Sequence, residues 1–343
     1  MSCVAEKPAA SRLPEQPQPS PLQPTSRYYE DGHYHMPKQL IVNADDFGLT
    51  AGINRAVEEL HRAGALTSAT LMANGPAFDD AVAIARTNPT LAVGCHIVLT
   101  DGIPVSHPAD IPTLLGPDGK TFRASLTDFL LAVLRGRVSE KDIARESHAQ
   151  ITKLQRAGID VTHVDTHKHT HILPRIARPL LCIAERAQIG AIRNPFEERW
   201  SLSLGHSEPL RRLEVRLLHP LRKRFYALPQ IKSGAVATTD GTVGISATGR
   251  LDHDALASIL QNMPEGTWEL VTHPGYNDRD LDTVTTRLRA TREIERAALL
   301  AAFSNSSRIP KPPELIHYGA LGPYANVRAH HQFTPNTGHE RFV

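Results

Sequence analysis

Four stretches of the chain concentrate acids and histidines at spacings that could do chemistry. They are Asn43-Ala-Asp45-Asp46-Phe-Gly48, a single His96, His163-Val-Asp165-Thr-His167-Lys-His169-Thr-His171, and His273-Pro-Gly275-Tyr276. In the third, every second residue is an acid or a histidine. An extended strand sends alternate side chains to one face, so His163, Asp165, His167, His169 and His171 would share a face if the strand runs that far. Five such groups cannot all be core, because burying unpaired polar groups is costly. Metal binding accounts for them most economically. Imidazole and carboxylate donors without cysteine suit Zn, Mn, Co or Ni, and Mg less comfortably. The competing reading is adventitious metal capture by a histidine-rich loop.

The adjacent acids pose a geometric problem. On a regular strand Asp45 and Asp46 point to opposite faces. A bend at the strand end, helped by Gly48, would aim both at one site, where one carboxylate binds a cation and the other accepts a proton. The plainer alternative is that Asp46 or Thr50 caps the following helix. His96 sits among Leu91, Val93, Ile97 and Leu99, a setting in which a lone histidine is ordinarily a satisfied core residue. His273 precedes Pro274-Gly275, and an imidazole there can give or take a proton near neutral pH.

These residues need a scaffold that gathers strand ends. Apolar runs at 39–43, 68–72, 91–99, 161–165, 191–193, 268–272 and 314–317 read as strands. Helical spacing is found at 51–63 (through Ile53, Val57 and Leu60), 76–85, 174–187, 252–262 and 281–302. Two more helices lie between 100 and 157, the second opening on a capping-box-like start at Ser139. The stretch 194–249 is less regular. Strands that alternate with helices and are buried on both faces imply an α/β fold with a parallel sheet. Six to eight such units favour a closed or nearly closed, TIM-like barrel over an open sheet. The polar clusters would then fall at the carboxyl ends of strands, where barrel enzymes keep their active sites.

Composition sets the outer limits. The 343 residues are 41% hydrophobic and 22% charged, with a net charge of +2, an ordinary globular balance that gives no support to nucleic-acid binding. No run approaches the ~18 apolar residues of a membrane span, and no apolar secretory core opens the chain, so a cytoplasmic protein is expected. Cys3, Cys95 and Cys182 form no CxxC pair, which excludes a disulfide framework and a thiolate zinc site. Eighteen histidines are about twice ordinary usage and agree with a metal site. Residues 1–36, with six prolines, read as a disordered leader, with Met36 as an alternative start. Residues 37–321 form the barrel domain and 322–343 a loose tail.

Taken in order, LIVNADDFGLTAGIN, GCHIVLTDGIPV, THVDTHKHTHILP and VTHPGY resemble the YdjC carbohydrate deacetylases, a family that includes chitooligosaccharide deacetylases. The segment TTDGTVGISATGRLD and the HPGY ending are most similar to its hopanoid-biosynthesis branch. The resemblance spans about residues 38–320. It implies a variant (β/α) barrel that uses one divalent metal ion, Mg or Zn foremost, to hydrolyse the N-acetyl group of an amino sugar, here one carried on a hopanoid glycolipid. By motif, Asp46, His96 and His167 match the metal ligands, Asp45 the base and His273 the acid. Asn43, His163, Asp165, His169, His171 and Tyr276 would support these or contact substrate.

Three alternatives are weighed against this reading. A chitooligosaccharide could replace the lipid-linked sugar. A metal-dependent phosphoesterase or amidohydrolase could use a similar barrel, although no Gly-rich phosphate loop is present. A non-catalytic carbohydrate-binding protein would require one of the matched residues to be missing, and none is. Separately, Arg211–Arg224 reads RRLEVRLLHPLRKR, a basic stretch interleaved with Leu and Val and broken by Pro220. It suits peripheral contact with an anionic membrane surface; the plainer readings are a solvated helix or a contact within a homodimer.

Overall fold

Apolar strands alternating with amphipathic helices bury both sheet faces when the strands pair in parallel, and the chain from Pro37 onward does this. The computed structural model describes Tyr28–Glu30, His33–His35, and residues 37–204, 209–303 and 312–324. Residues 1–36 form a separate unit in which β1 (Tyr28–Glu30) pairs antiparallel with β2 (His33–His35). The rest of the expected leader, and the expected tail past Tyr324, lie outside the described residues.

The second unit is built on β3 (Lys38–Phe47), β4 (Ser68–Leu71), β5 (Ala92–Ile97), β6 (His163–Thr166), β7 (Ala191–Ile192), β8 (Gly241–Val243) and β9 (Gly266–Thr272). Their order is β7-β6-β5-β4-β3-β9-β8, and β10 (Glu314–Leu315) pairs with the start of β3. Every pairing in this sheet is parallel. Parallel bridges Ala191–Ala237 and Glu197–Thr242 carry the backbone from the β7 edge back toward β8. The sheet thus curls into the expected variant barrel. Strand β8 falls in the stretch that reads as irregular, because three residues are too few to show a period.

Helices cover the outside. The first five are α1 (Ala51–Arg62), α2 (Phe78–Thr87), α3 (Leu126–Leu134), α4 (Glu140–Arg156) and α5 (Pro174–Arg186). Thr50 caps α1, its Oγ1 accepting from the Ile53 amide at 3.2 Å, so Asp46 is released from that role. Ser139 caps α4 in the same way. Ile53, Val57 and Leu60 of α1 are fully buried against the sheet, as their spacing predicts.

Alternation along the strands separates two environments. Leu40, Val42 and Ala44 of β3, Val93, Cys95 and Ile97 of β5, and Leu270 of β9 join the apolar layer under the helices. The intervening residues face the barrel axis and are mostly polar: Asn43, Asp45, Thr70, His96, His163, Asp165, Arg193 and Glu269, all buried. At the floor Tyr318 lies fully buried and stacks on His163 with ring centroids 3.8 Å apart. Gly94 leaves room for that ring, since a Cβ there would meet it at 2.5 Å. Gly94→Ala is therefore expected to overpack the floor and lower unfolding free energy by about 1–3 kcal/mol. Chemical denaturation checks this, and an unchanged midpoint would contradict it.

Candidate active site

The two adjacent acids reach one site through an irregularity in β3. Ala44 pairs with Ala69 and Phe47 with Leu71, so three steps on β3 match two on β4, which is a β-bulge. Asp46 carries the extra residue's turn with φ of +63°, a left-handed conformation that Asp tolerates better than most residues. Gly48 follows at φ +88°, where an added Cβ would meet Leu71 Cδ1 at 2.7 Å. The bend expected at Gly48 thus begins two residues earlier.

Asp46, His96 and His167 converge. His96 Nε2 lies 3.7 Å and His167 Nδ1 3.4 Å from Asp46 Oδ1, and the two nitrogens are 3.2 Å apart. Donors held about 2.1 Å from one divalent cation lie roughly 3.0–3.5 Å apart, so this spacing fits a shared ion. Asp46 Oδ1 is buried without a hydrogen-bond partner among the described residues, as an oxygen reserved for a cation would be. Its other oxygen accepts from Arg292 Nη2 at 2.6 Å. Burial works to raise the Asp46 carboxyl, but Arg292 and His167 outweigh it and hold it well below the usual range. His96 is oriented from behind, its Nδ1 2.8 Å from Asp165 Oδ1, which leaves Nε2 toward the cluster. Burial disfavours the charged imidazole, yet Asp165, Asp45 and Asp46 raise it to about 9. The same negative field favours any cation placed there.

Beside this cluster Arg193 is fully buried among carboxylates. It grips Asp45 with both terminal nitrogens at 2.9 and 2.6 Å, donates Nε to Glu269 at 2.9 Å, and contacts Asp165 Oδ2. Asn43 Nδ2 adds a 3.0 Å bond to Asp45 Oδ1. Burial alone would raise the Asp45 carboxyl, but Arg193, His96 and His273 hold it far below the ordinary carboxylate range. His273 Nε2 approaches Asp45 Oδ2 at 3.8 Å. The His273 amide donates to the buried Glu295 at 2.6 Å, which fixes the turn after β9.

The run from His163 to His171 does not share one face. Strand β6 ends at Thr166, and Lys168 and His169 adopt left-handed φ of 58° and 51° within a 3₁₀ segment. His163 and Asp165 still point to the barrel axis. His163 sits at the floor, hydrogen-bonded to Thr162 and Asn43. His171 is buried between Thr166 Oγ1 at 2.7 Å and the Arg193 carbonyl at 3.2 Å, and burial pushes its pKa down to about 4. His169 is pushed down to about 3 by burial and by Arg193, so its ring is neutral. Tyr276 turns away: its hydroxyl donates to Glu59 at 2.9 Å, and its ring lies under Arg296 at 4.4 Å.

Arg193, Glu269, Arg292 and Glu295 belong to the site and are not among the residues singled out from sequence. Glu269 carried a signal, being a lone charge inside the apolar run Trp268–Thr272, and Arg193 ends another such run. Arg292 and Glu295 lie on a helix and look like ordinary surface charges until the fold buries them.

The fold and the cluster together define an α/β-barrel protein whose polar centre can hold a divalent cation at the carboxyl ends of its strands. The YdjC-like protein family model matches residues 39–305. A carbohydrate deacetylase of Brevibacillus brevis is 33% identical over 83% of this chain and its own full length. One from Thermoanaerobacter pseudethanolicus is 30% identical over 76% of this chain and 90% of its own. Among solved structures, a putative cellobiose-phosphate cleavage protein from Enterococcus faecalis covers 84% of this chain and all of its own, with a TM-score of 0.67. At 23% identity that likeness speaks for the fold alone. The chain belongs to the YdjC-like family.

Two predictions follow from the geometry. His167→Ala should lose stoichiometric divalent metal, since three protein donors leave no redundancy, whereas His169→Ala should keep it. Metal analysis after gel filtration distinguishes them, and retention by His167→Ala would contradict the cluster. Arg292→Met should weaken metal affinity about 10–100-fold by freeing Asp46 to rotate, as loss of a supporting partner typically does. Titration calorimetry measures this; unchanged affinity would remove Arg292 from that role.

Proposed function

We propose that the protein is a metal-dependent deacetylase that hydrolyses the N-acetyl group of an amino sugar, giving acetate and a free amine. Its substrate in this reading is an N-acetylglucosaminyl hopanoid lipid, with a chitooligosaccharide as the alternative. The observation that carries it is the buried Asp46 Oδ1, which has no hydrogen-bond partner among the described residues and faces His96 Nε2 and His167 Nδ1, beside the Asp45–His273 pair. The names of the relatives, carbohydrate deacetylases, support the same reaction.

Asp46, His96 and His167 would hold the cation. When bound, a divalent cation supplies Lewis acidity, polarising an amide carbonyl and lowering the pKa of water toward neutrality. Asp165, 2.8 Å from His96 Nδ1, holds the ring with Nε2 toward the cluster. Asp45 accepts the proton of the attacking water. Its pairing with Arg193 keeps it ionised and makes it a weak base, so it holds that proton only briefly. His273, 3.8 Å from Asp45 Oδ2, is placed to take the proton and deliver it to the departing amine. Atoms balance: the C–N bond breaks, water supplies oxygen to acetate, and its protons pass to the carboxylate and then the amine.

The test is acetate release from an N-acetylglucosaminyl lipid and from chitobiose by metal-loaded protein. Release from the lipid supports the full reading, release from chitobiose alone moves the substrate to soluble sugars, and release from neither contradicts the deacetylase. Asp45→Asn should fold and bind metal while turnover falls about 10²–10⁴-fold, the usual cost of losing a positioned base. Near-normal turnover would take Asp45 out of the mechanism.

A further inference from the structure

The stretch between β7 and β8 adds helices that the barrel itself does not require. One of them, Pro209–Leu218, is amphipathic in the reverse of the usual sense. Arg211, Arg212 and Val215 lie on its half-buried side, and Arg211 donates to the Ile245 carbonyl at 3.3 Å. About half a helical turn around, Leu213 and Leu217 face outward with 53% and 69% of their surface exposed, and Leu218 is also exposed. Three of the seven large apolar side chains exposed among the described residues are on this one helix. Charge is concentrated in the same place. Arg211–Arg224 holds six Lys or Arg and one acid, a local charge of +5 in a chain whose total is +2. Arg222 is committed to Glu198 at 3.1 Å, but Arg216 on the same helix, and Lys223 and Arg224 shortly after Leu218 in the chain, are exposed.

The patch also has a defined position. Arg211 holds it against the segment that follows β8, and Glu197 fixes that segment by accepting from the Ser246 amide at 2.7 Å. The Gly249 amide then reaches Glu295, which also binds the His273 amide. The helix therefore sits at the carboxyl-end rim of the barrel, the face that carries the Asp46 cluster.

We propose that Leu213, Leu217 and Leu218, with Arg216, Lys223 and Arg224, form a docking surface for an anionic lipid bilayer. Exposed leucines and, close by in the chain, basic side chains with no acidic partner among the described residues match the two parts of such a surface, an apolar layer beneath negative headgroups. A protein partner would leave the cations needing a matched set of acids, whereas a bilayer supplies diffuse negative charge without fixed geometry. No helix among the described residues is long and apolar enough to cross a membrane. The inference is independent of the deacetylase reading, although it would bring the site's face to a lipid-borne substrate.

The full chain is sedimented with vesicles of phosphatidylcholine alone or with 30% phosphatidylglycerol, at low and high salt. Binding to the anionic vesicles, reversed by salt and absent with neutral ones, is expected. Changing Arg216, Lys223 and Arg224 to Gln should weaken binding on the order of a hundredfold, since each basic residue near the headgroups contributes about fivefold. Leu213→Ser with Leu217→Ser should weaken it as well. Both variants should keep the metal content and the thermal unfolding midpoint of the unaltered chain, which separates failure of the surface from failure of the fold or the active site. No binding to anionic vesicles, equal binding to neutral ones, or binding insensitive to both variants would overturn the proposal. So would a stable dimer that the leucine changes dissociate.

Discussion

One buried guanidinium holds the centre of this protein together. Arg193, with no exposed surface, contacts Asp45, Asp165 and Glu269, which reach it from β3, β6 and β9. A buried charge persists only where it is paired and hydrogen-bonded, and removing one partner of such a set typically costs about 3–5 kcal/mol. Arg193 enters from the end of β7, the edge where the sheet curls toward β8. The contacts that tie these strands together are therefore also contacts of the site: separating the strands would strand the guanidinium and three carboxylates.

The same constraint divides labour among the acids. Asp165 gives one oxygen to Arg193 and the other to His96 Nδ1, which fixes the imidazole. Asp46 gives one oxygen to Arg292 and keeps the other open toward two imidazole nitrogens. Asp45 has both oxygens on Arg193, and only Oδ2 also faces His273. Adjacent aspartates thus acquire different chemistry from their partners alone. Glu269 shows the limit of the network: burial raises its carboxyl even against Arg193, and the Tyr318 hydroxyl donates to it.

Much of this was legible in the amino-acid sequence. Alternating strands and helices point to the parallel barrel, and acids and histidines at strand ends mark the rim where the cluster forms. The assumption of regular backbone is what failed. Period-2 alternation carried past Thr166 would line up His167, His169 and His171, but left-handed residues at 168 and 169 scatter them. The bulge that unites Asp45 and Asp46 leaves no mark on the period either. Arg193 and Arg292 were illegible for a different reason. Their importance lies in partners 148 and 246 residues away along the chain, and no local pattern encodes such a pairing.

The central claim is that Asp46, His96 and His167 hold one divalent cation. X-ray absorption at the metal edge of zinc-loaded protein tests it most directly, because imidazole rings leave a distinctive scattering pattern. Two imidazole ligands with oxygen neighbours are predicted in the unaltered chain, falling to one in His96→Ala or His167→Ala if any zinc is retained. A spectrum with no imidazole, or with two that survive both substitutions, would contradict the account.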